Sequence, residues 1–153
     1  MSKAKYLILF LVINFGGLAL GSWLMNGGPT SYWYANLSKA PWTPPGWVFG
    51  AAWTTIMICF SIYLMYLFTK KYSDKKLSLY IIQVVFNVSW NYIFFNQHQV
   101  LFAQIVITLL TALIFYFFFT FFKEQKSKSY LLLPYMIWLC IATSLNLYIL
   151  VNN

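Results

Sequence analysis

The sequence predicts an all-α membrane protein: a five-transmembrane-helix bundle with a long structured loop between helices 1 and 2. Three observations predict it. Of 153 residues, 61% are hydrophobic and only 8% are charged, well outside the balance of a soluble domain. The apolar residues fall into five runs, each of about twenty residues, the length that crosses a hydrocarbon core of ~30 Å. The charges collect in short clusters between those runs. One domain over residues 1–153 accounts for the whole chain.

The first run covers residues 5–25. Lys3 and Lys5 ahead of a stretch ending Ala19-Leu20-Gly21 resemble a signal peptide. The run continues through Trp23 to Met25, however, and Asn14 interrupts what would be its apolar centre, so it reads as a retained helix. Gly17 and Gly21, with Gly16 alongside, form a small-xxx-small pair that lets another helix approach closely.

Residues 26–46 form the loop. It opens on a turn signal, Asn26-Gly27-Gly28-Pro29, followed by the aromatic cluster Tyr32, Trp33, Tyr34. Four of the seven tryptophans and three of the five prolines lie within residues 33–53. Pro41, Pro44 and Pro45 fix φ and remove donors, making a stiff, non-helical entry to the second helix. A loop this long and this aromatic reads as a lid or lining over a pocket.

The second helix spans 47–69, and Lys70, Lys71, Asp74, Lys75 and Lys76 read as the loop after it. The third spans 77–96 and ends at Gln97-His98-Gln99, where the single histidine reads as solvated. The fourth spans 100–122, Lys123 to Lys128 close it, and the fifth spans 130–151. Nine of the ten lysines then fall on the side of the N-terminus, and Lys39 alone on the other. By the positive-inside rule the N-terminus is inside, with the C-terminus and long loop outside.

Composition also excludes function classes. There is no arginine, and the lysines sit at run ends rather than on one face, which argues against a nucleic-acid partner. Cys59 and Cys140 lie inside apolar runs and read as helix residues, with no metal-ligand spacing. No Asp, Glu, Lys or His falls in a predicted helix core, against proton- or ion-coupled transport, and no nucleophile–base pair is visible.

What remains are neutral polar and aromatic stripes. Gln83, Asn87, Asn91 and Phe94 share a face of the third helix, with Trp90 beside them. Pro134, Trp138, Ala142 and Asn146 recur at steps of four in the fifth, and Trp53 lies two turns into the second. Such stripes face the bundle interior, because lipid offers amides no partner. Spacing fits both interhelical glue and a ligand pocket. Small Ala142 near Trp138 and Trp53 favours a flat apolar slot suited to a planar ligand.

These residues resemble a known signature. Trp33-Tyr34, Pro41-Trp42-Thr43-Pro44-Pro45-Gly46-Trp47-Val48-Phe49-Gly50 and Trp53 resemble the tryptophan-rich sensory protein / translocator protein family, TspO/MBR, also called the peripheral-type benzodiazepine receptor family. Gln83, Asn87 and Trp90 with Phe94-Phe95, and Pro134-Tyr135, Trp138, Ala142 and Leu145-Asn146, agree with it over essentially the whole chain. The resemblance implies a five-helix bundle, often a homodimer, that binds porphyrins such as protoporphyrin IX in a pocket under the first loop. Carried over by position, that pocket comprises Tyr34, Pro41, Trp42, Pro45, Trp53, Gln83, Phe86, Asn87, Phe94, Trp138, Ala142 and Leu145. Trp53 and Trp138 match tryptophans implicated in light-dependent porphyrin degradation by some bacterial members, so they are the candidate catalytic pair if that activity is present. The family's sterol motif is incomplete here: Leu145 and Leu147 precede Tyr148, but Ile149 to Asn153 contains no basic residue. The lysine-, phenylalanine- and asparagine-rich composition suits a bacterial member in the inner membrane.

The leading expectation is therefore a receptor or sensor for a planar hydrophobic ligand, most simply a tetrapyrrole, with Asn87 and Gln83 as hydrogen-bond donors. Rivals are a porphyrin-degrading enzyme, a passive tetrapyrrole or lipid translocator, and a structural scaffold. No metal or cofactor is implied; the porphyrin enters as ligand or substrate.

Overall fold

A computed structural model describes all residues, Met1–Asn153. Five long helices are apolar enough to cross a membrane: α1 (Lys3–Leu24), α2 (Gly46–Lys70), α3 (Asp74–Asn91), α4 (Val100–Thr120) and α5 (Leu133–Asn152). There are no strands. The helices close a ring: α1 packs on α2 and α3, α2 on α5, α5 on α4, and α4 on α3. The protein is an integral membrane five-helix bundle.

Local chemistry explains where the helices begin. Ser2 and Ser73 cap α1 and α3, their hydroxyls accepting from the backbone N–H of Lys5 at 3.3 Å and of Lys76 at 3.1 Å. The Ser73 cap starts α3 before the expected residue 77, with Asp74 in the first turn where the helix dipole favours an anion. Lys75 and Lys76 are thus helical, not loop residues. Lys76 is 4% exposed and donates to Glu124 Oε1 at 2.6 Å and to the backbone carbonyls of Leu67 and Lys71. It satisfies the end of α2 as well as the carboxylate, which sequence spacing does not reveal. The fifth span also begins later than expected: residues Lys126–Leu132 form a 3-10 turn, and α5 starts with Pro134 in its first turn.

Beyond Asn91, α3 widens into a π-helical turn, Tyr92–Asn96. The N–H of Gln97 reaches Tyr92 O at 3.0 Å, five residues back. Such wide turns are frequent at functional sites, and this one places Phe94 and Phe95 inward. Asn96 Nδ2 donates to Leu24 O at 3.0 Å, satisfying a terminal carbonyl of α1.

The bundle is filled unevenly. At the lysine-rich end Phe60, Tyr63, Leu64, Phe117, Tyr135 and Leu139 make a continuous, fully buried core. Asn14 crosses it, donating to Ser61 Oγ at 2.8 Å and accepting from Tyr80 OH at 2.6 Å, so α1, α2 and α3 share one polar contact. Gly21 presses on Asn91, and a Cβ there would lie 2.6 Å from its Nδ2. The expected close-packing face of α1 is therefore real, and its partner is α3. Toward the loop end the core opens into a cavity.

The loop is strapped to the bundle. It contains a 3-10 turn (Gly28–Thr30) and one helical turn (Tyr32–Ala35) capped by Ser31. Ser38 and Asn153 exchange two hydrogen bonds, at 2.8 and 3.0 Å, tying the loop to the end of α5. Trp42 Nε1 donates to Ser144 Oγ at 3.1 Å. Lys39 Nζ donates to Tyr34 O at 2.9 Å and lies 4.8 Å from that residue's ring centre. His98, expected to be solvated only, stacks on Trp33. Trp23, Tyr32 and Trp47 remain exposed at this end, an aromatic girdle at interfacial depth.

Candidate ligand cavity

The cavity beneath the loop end measures about 240 Å³. Trp53, Phe49 and Gly50 of α2 form one wall, and Trp138 and Ala142 of α5 form the next. Asn87, Trp90 and Asn91 of α3 face them with Phe95 from the wide turn, and Leu18, Ser22 and Met25 of α1 complete the ring. A smaller void of about 30 Å³ lies beside it, reached past Ala142 and lined by Tyr34, Phe94 and Leu145.

The walls are braced from behind. Trp53 sits edge-on to Tyr135 with centroids 5.9 Å apart, and Trp138 sits edge-on to Phe49 at 5.2 Å. Trp90 stacks on Phe94 at 5.2 Å while its indole N–H donates to Asn146 Oδ1 at 3.1 Å. Asn146 Nδ2 in turn donates to Gln104 Oε1 at 2.8 Å, so that side chain is structural.

The polar inventory differs from the expectation. Gln83 Nε2 and Asn87 Nδ2 both donate to Tyr135 OH, at 2.6 and 2.7 Å. Gln83 is 2% exposed and lies below the cavity rather than in its wall, and one N–H of each amide is engaged by Tyr135. Asn91 Nδ2 donates to Asn87 O at 3.1 Å. The side-chain oxygens of Asn87 and Asn91 are the acceptors this wall offers. Trp138 Nε1 is buried and has no hydrogen-bond partner, and the Ser22 and Thr54 hydroxyls also line the cavity. A buried N–H without a partner is costly to maintain, which marks it as a group awaiting an acceptor.

Of the predicted residues, Trp53, Asn87, Trp138 and Ala142 line the cavity, and Tyr34, Phe94 and Leu145 line the adjoining void. Burial pushes the Tyr34 phenol above the ordinary tyrosine range, keeping it neutral. Pro41, Trp42 and Pro45 line neither space; Trp42 instead packs edge-on against Tyr148 on α5, and Pro45 is the residue before α2. Phe86 packs against the main core. Sequence reading did not assign Leu18, Ser22 and Met25. Asn14, Leu18 and Ser22 recur at steps of four, the same signal that exposed the other stripes.

The comparisons agree with this architecture. Residues 8–151 match the TspO/MBR family. This chain belongs to that family. A tryptophan-rich sensory protein of Cereibacter sphaeroides is 33% identical over 74% of the chain and 72% of its own length. The tryptophan-rich protein TspO of Chlorobaculum tepidum is 31% identical over 82% of each chain. The translocator protein of Homo sapiens is 31% identical over 74% of the chain and 70% of its own length. The TspO/MBR chain described here is thus an integral membrane member of that family, and its cavity lies where helices from all sides of the ring converge.

Proposed function

We propose that this TspO/MBR protein is a membrane receptor for a planar hydrophobic ligand, most simply a tetrapyrrole such as protoporphyrin IX. The observation that carries the reading is a buried, unpartnered N–H on Trp138, an indole that lines an aromatic cavity. A pigment with acidic side arms or ring nitrogens supplies the missing acceptor, and its pyrrole N–H groups meet the Asn87 and Asn91 oxygens. Trp53 and Trp138 supply the flat apolar contact. At about 240 Å³ the cavity is smaller than typical ligand pockets of about 300–1,000 Å³. Entry therefore requires the strapped loop to lift and the smaller void to merge with the larger. In the same reading the N-terminus faces the cytoplasm of a bacterial inner membrane, the loop faces outward, and two copies pair in the bilayer.

The test is intrinsic tryptophan quenching by protoporphyrin IX, titrated in detergent in the dark. Saturable quenching in the wild type that weakens in Trp138→Phe is the expected result. Linear quenching, identical in both proteins, means partitioning into the micelle and removes the tetrapyrrole site. Ala142 lines both voids, so Ala142→Leu fills space in each without burying a polar group and should weaken quenching with the helix content unchanged.

A second reading is favoured by Trp53 and Trp138 lining one cavity: pigment-sensitised oxidation, with molecular oxygen as oxidant and these indoles as the groups beside the excited ring. Illumination separates the two. A receptor leaves the pigment spectrum intact, whereas a degrading enzyme yields a new product that disappears in Trp53→Phe. Movement of pigment across proteoliposomes would identify a translocator instead.

A further inference from the structure

The lysine-rich end of the bundle holds a second cleft, of about 260 Å³, remote from the aromatic cavity. Lys3 from α1, Tyr66 and Lys70 from α2, and Glu124, Gln125 and Lys128 from the α4–α5 connection line it. Its one carboxylate is already neutralised, because Glu124 Oε1 is held by Lys76 at 2.6 Å. The three lining lysines have no carboxylate partner. Lys3 and Lys128 both rest against the ring of Tyr66, at 5.3 and 4.6 Å from its centre, and Lys70 donates to the Glu124 backbone carbonyl at 2.8 Å. Each ammonium is held by the ring face, and together the exposed lysines leave this cleft a locally positive site suited to an anion.

Gln125 supplies an independent sign of a ligand. The residue is 4% exposed, lines the cleft, and its Nε2 has no hydrogen-bond partner. The next residue, Lys126, holds the left-handed φ of +53° that a non-glycine residue rarely adopts. Strained backbone of this kind persists where the surroundings over-determine it, and it clusters at ligand clamps. Three lysines line the cleft beside a buried amide donor without a partner, and the one carboxylate among them is already paired with Lys76. That set matches a phosphate oxygen array.

We propose that this cleft binds the phosphate of an anionic phospholipid headgroup. Depth favours a lipid over a soluble phosphate ester. Tyr66 lies four residues inside Lys70, about 6 Å deeper at the α-helical rise, so the cleft spans the level where headgroups meet acyl chains. The site is independent of the tetrapyrrole reading, since no residue is shared.

Native mass spectrometry of the purified protein tests it, with phosphatidylglycerol and phosphatidylcholine titrated separately. One phosphatidylglycerol per protomer should bind with clear preference over phosphatidylcholine. Lys3→Gln/Lys128→Gln should weaken it about tenfold, and Gln125→Leu about threefold to tenfold, with unchanged melting temperature. Lys71→Gln/Lys75→Gln removes equal charge outside the cleft and should leave affinity within about twofold. Equal loss in that control overturns the proposal, because attraction would then be diffuse. Displacement of the lipid by millimolar inorganic phosphate overturns the lipid assignment in favour of a soluble phosphate ester.

Discussion

Trp33 and His98 lie face to face, with ring centroids 4.0 Å apart and planes within 9° of parallel. The first belongs to the long loop and the second to the α3–α4 connection, where His98 takes a left-handed φ of 57°. This stack and the Ser38–Asn153 pair hold opposite parts of the loop to the bundle end. Aromatic pairs contribute about 0.5–1.5 kcal/mol beyond burial. Trp33→Ala should therefore raise tryptic cleavage at Lys39 roughly threefold to tenfold, and His98→Ala should raise it less, because Trp33 keeps its edge contact with Phe94 at 5.4 Å. Unchanged cleavage in both variants would show that the stack does not restrain the loop.

Tyr135 is the hub of the cavity floor. Its hydroxyl accepts from Gln83 and Asn87, and its ring supports Trp53 and Phe60. Tyr135→Phe removes one oxygen and leaves two amide donors without a partner. At about 1–3 kcal/mol for buried Gln83 and about 1 kcal/mol for half-buried Asn87, the loss should reach about 2–4 kcal/mol. Thermal melting in detergent measures it. Gln83→Leu, which removes a donor and an unpartnered oxygen together, should cost much less.

The two glycine positions on α1 should separate cleanly. Gly21→Ala sets a Cβ 2.6 Å from Asn91 Nδ2 and forces that amide off its bond to Asn87 O, a cost of about 1–3 kcal/mol. At Gly16 no atom lies within 4 Å, so Gly16→Ala should be neutral or stabilising by up to about 1 kcal/mol through helix propensity. Equal effects in melting experiments would mean that the α1–α3 contact is looser than its geometry.

Lys76 and Glu124 should behave asymmetrically. Glu124→Gln leaves a buried ammonium with carbonyl acceptors, including those of Leu67 and Lys71, but no counter-charge. Breaking a buried pair from one side typically costs about 3–5 kcal/mol, and Glu124 is partly exposed, so about 2–3 kcal/mol is expected. The double replacement Lys76→Met/Glu124→Gln should recover part of that loss. A double-mutant cycle with no coupling would rule out the pair as a fastening between α3 and the α4–α5 connection.

By itself the sequence determined the class of this protein and much of its geometry: five spans from run length, a stiff loop from its prolines, and inward stripes from four-residue spacing. It also marked Trp53, Trp138, Asn87 and Ala142 as candidates, and all four line the cavity, because helical periodicity and a distinctive loop motif are local properties that a linear chain displays directly. Depth and pairing were decided only by tertiary structure. Gln83 and Asn87 are one turn apart on the same face, yet only Asn87 reaches the cavity, and both donors end on Tyr135, far along the chain. Trp42 turned outward to Ser144, and Lys76 turned inward to Glu124, for the same reason. A polar group in a membrane bundle goes to whichever partner the packing brings within reach, and those partners are separated by dozens of residues.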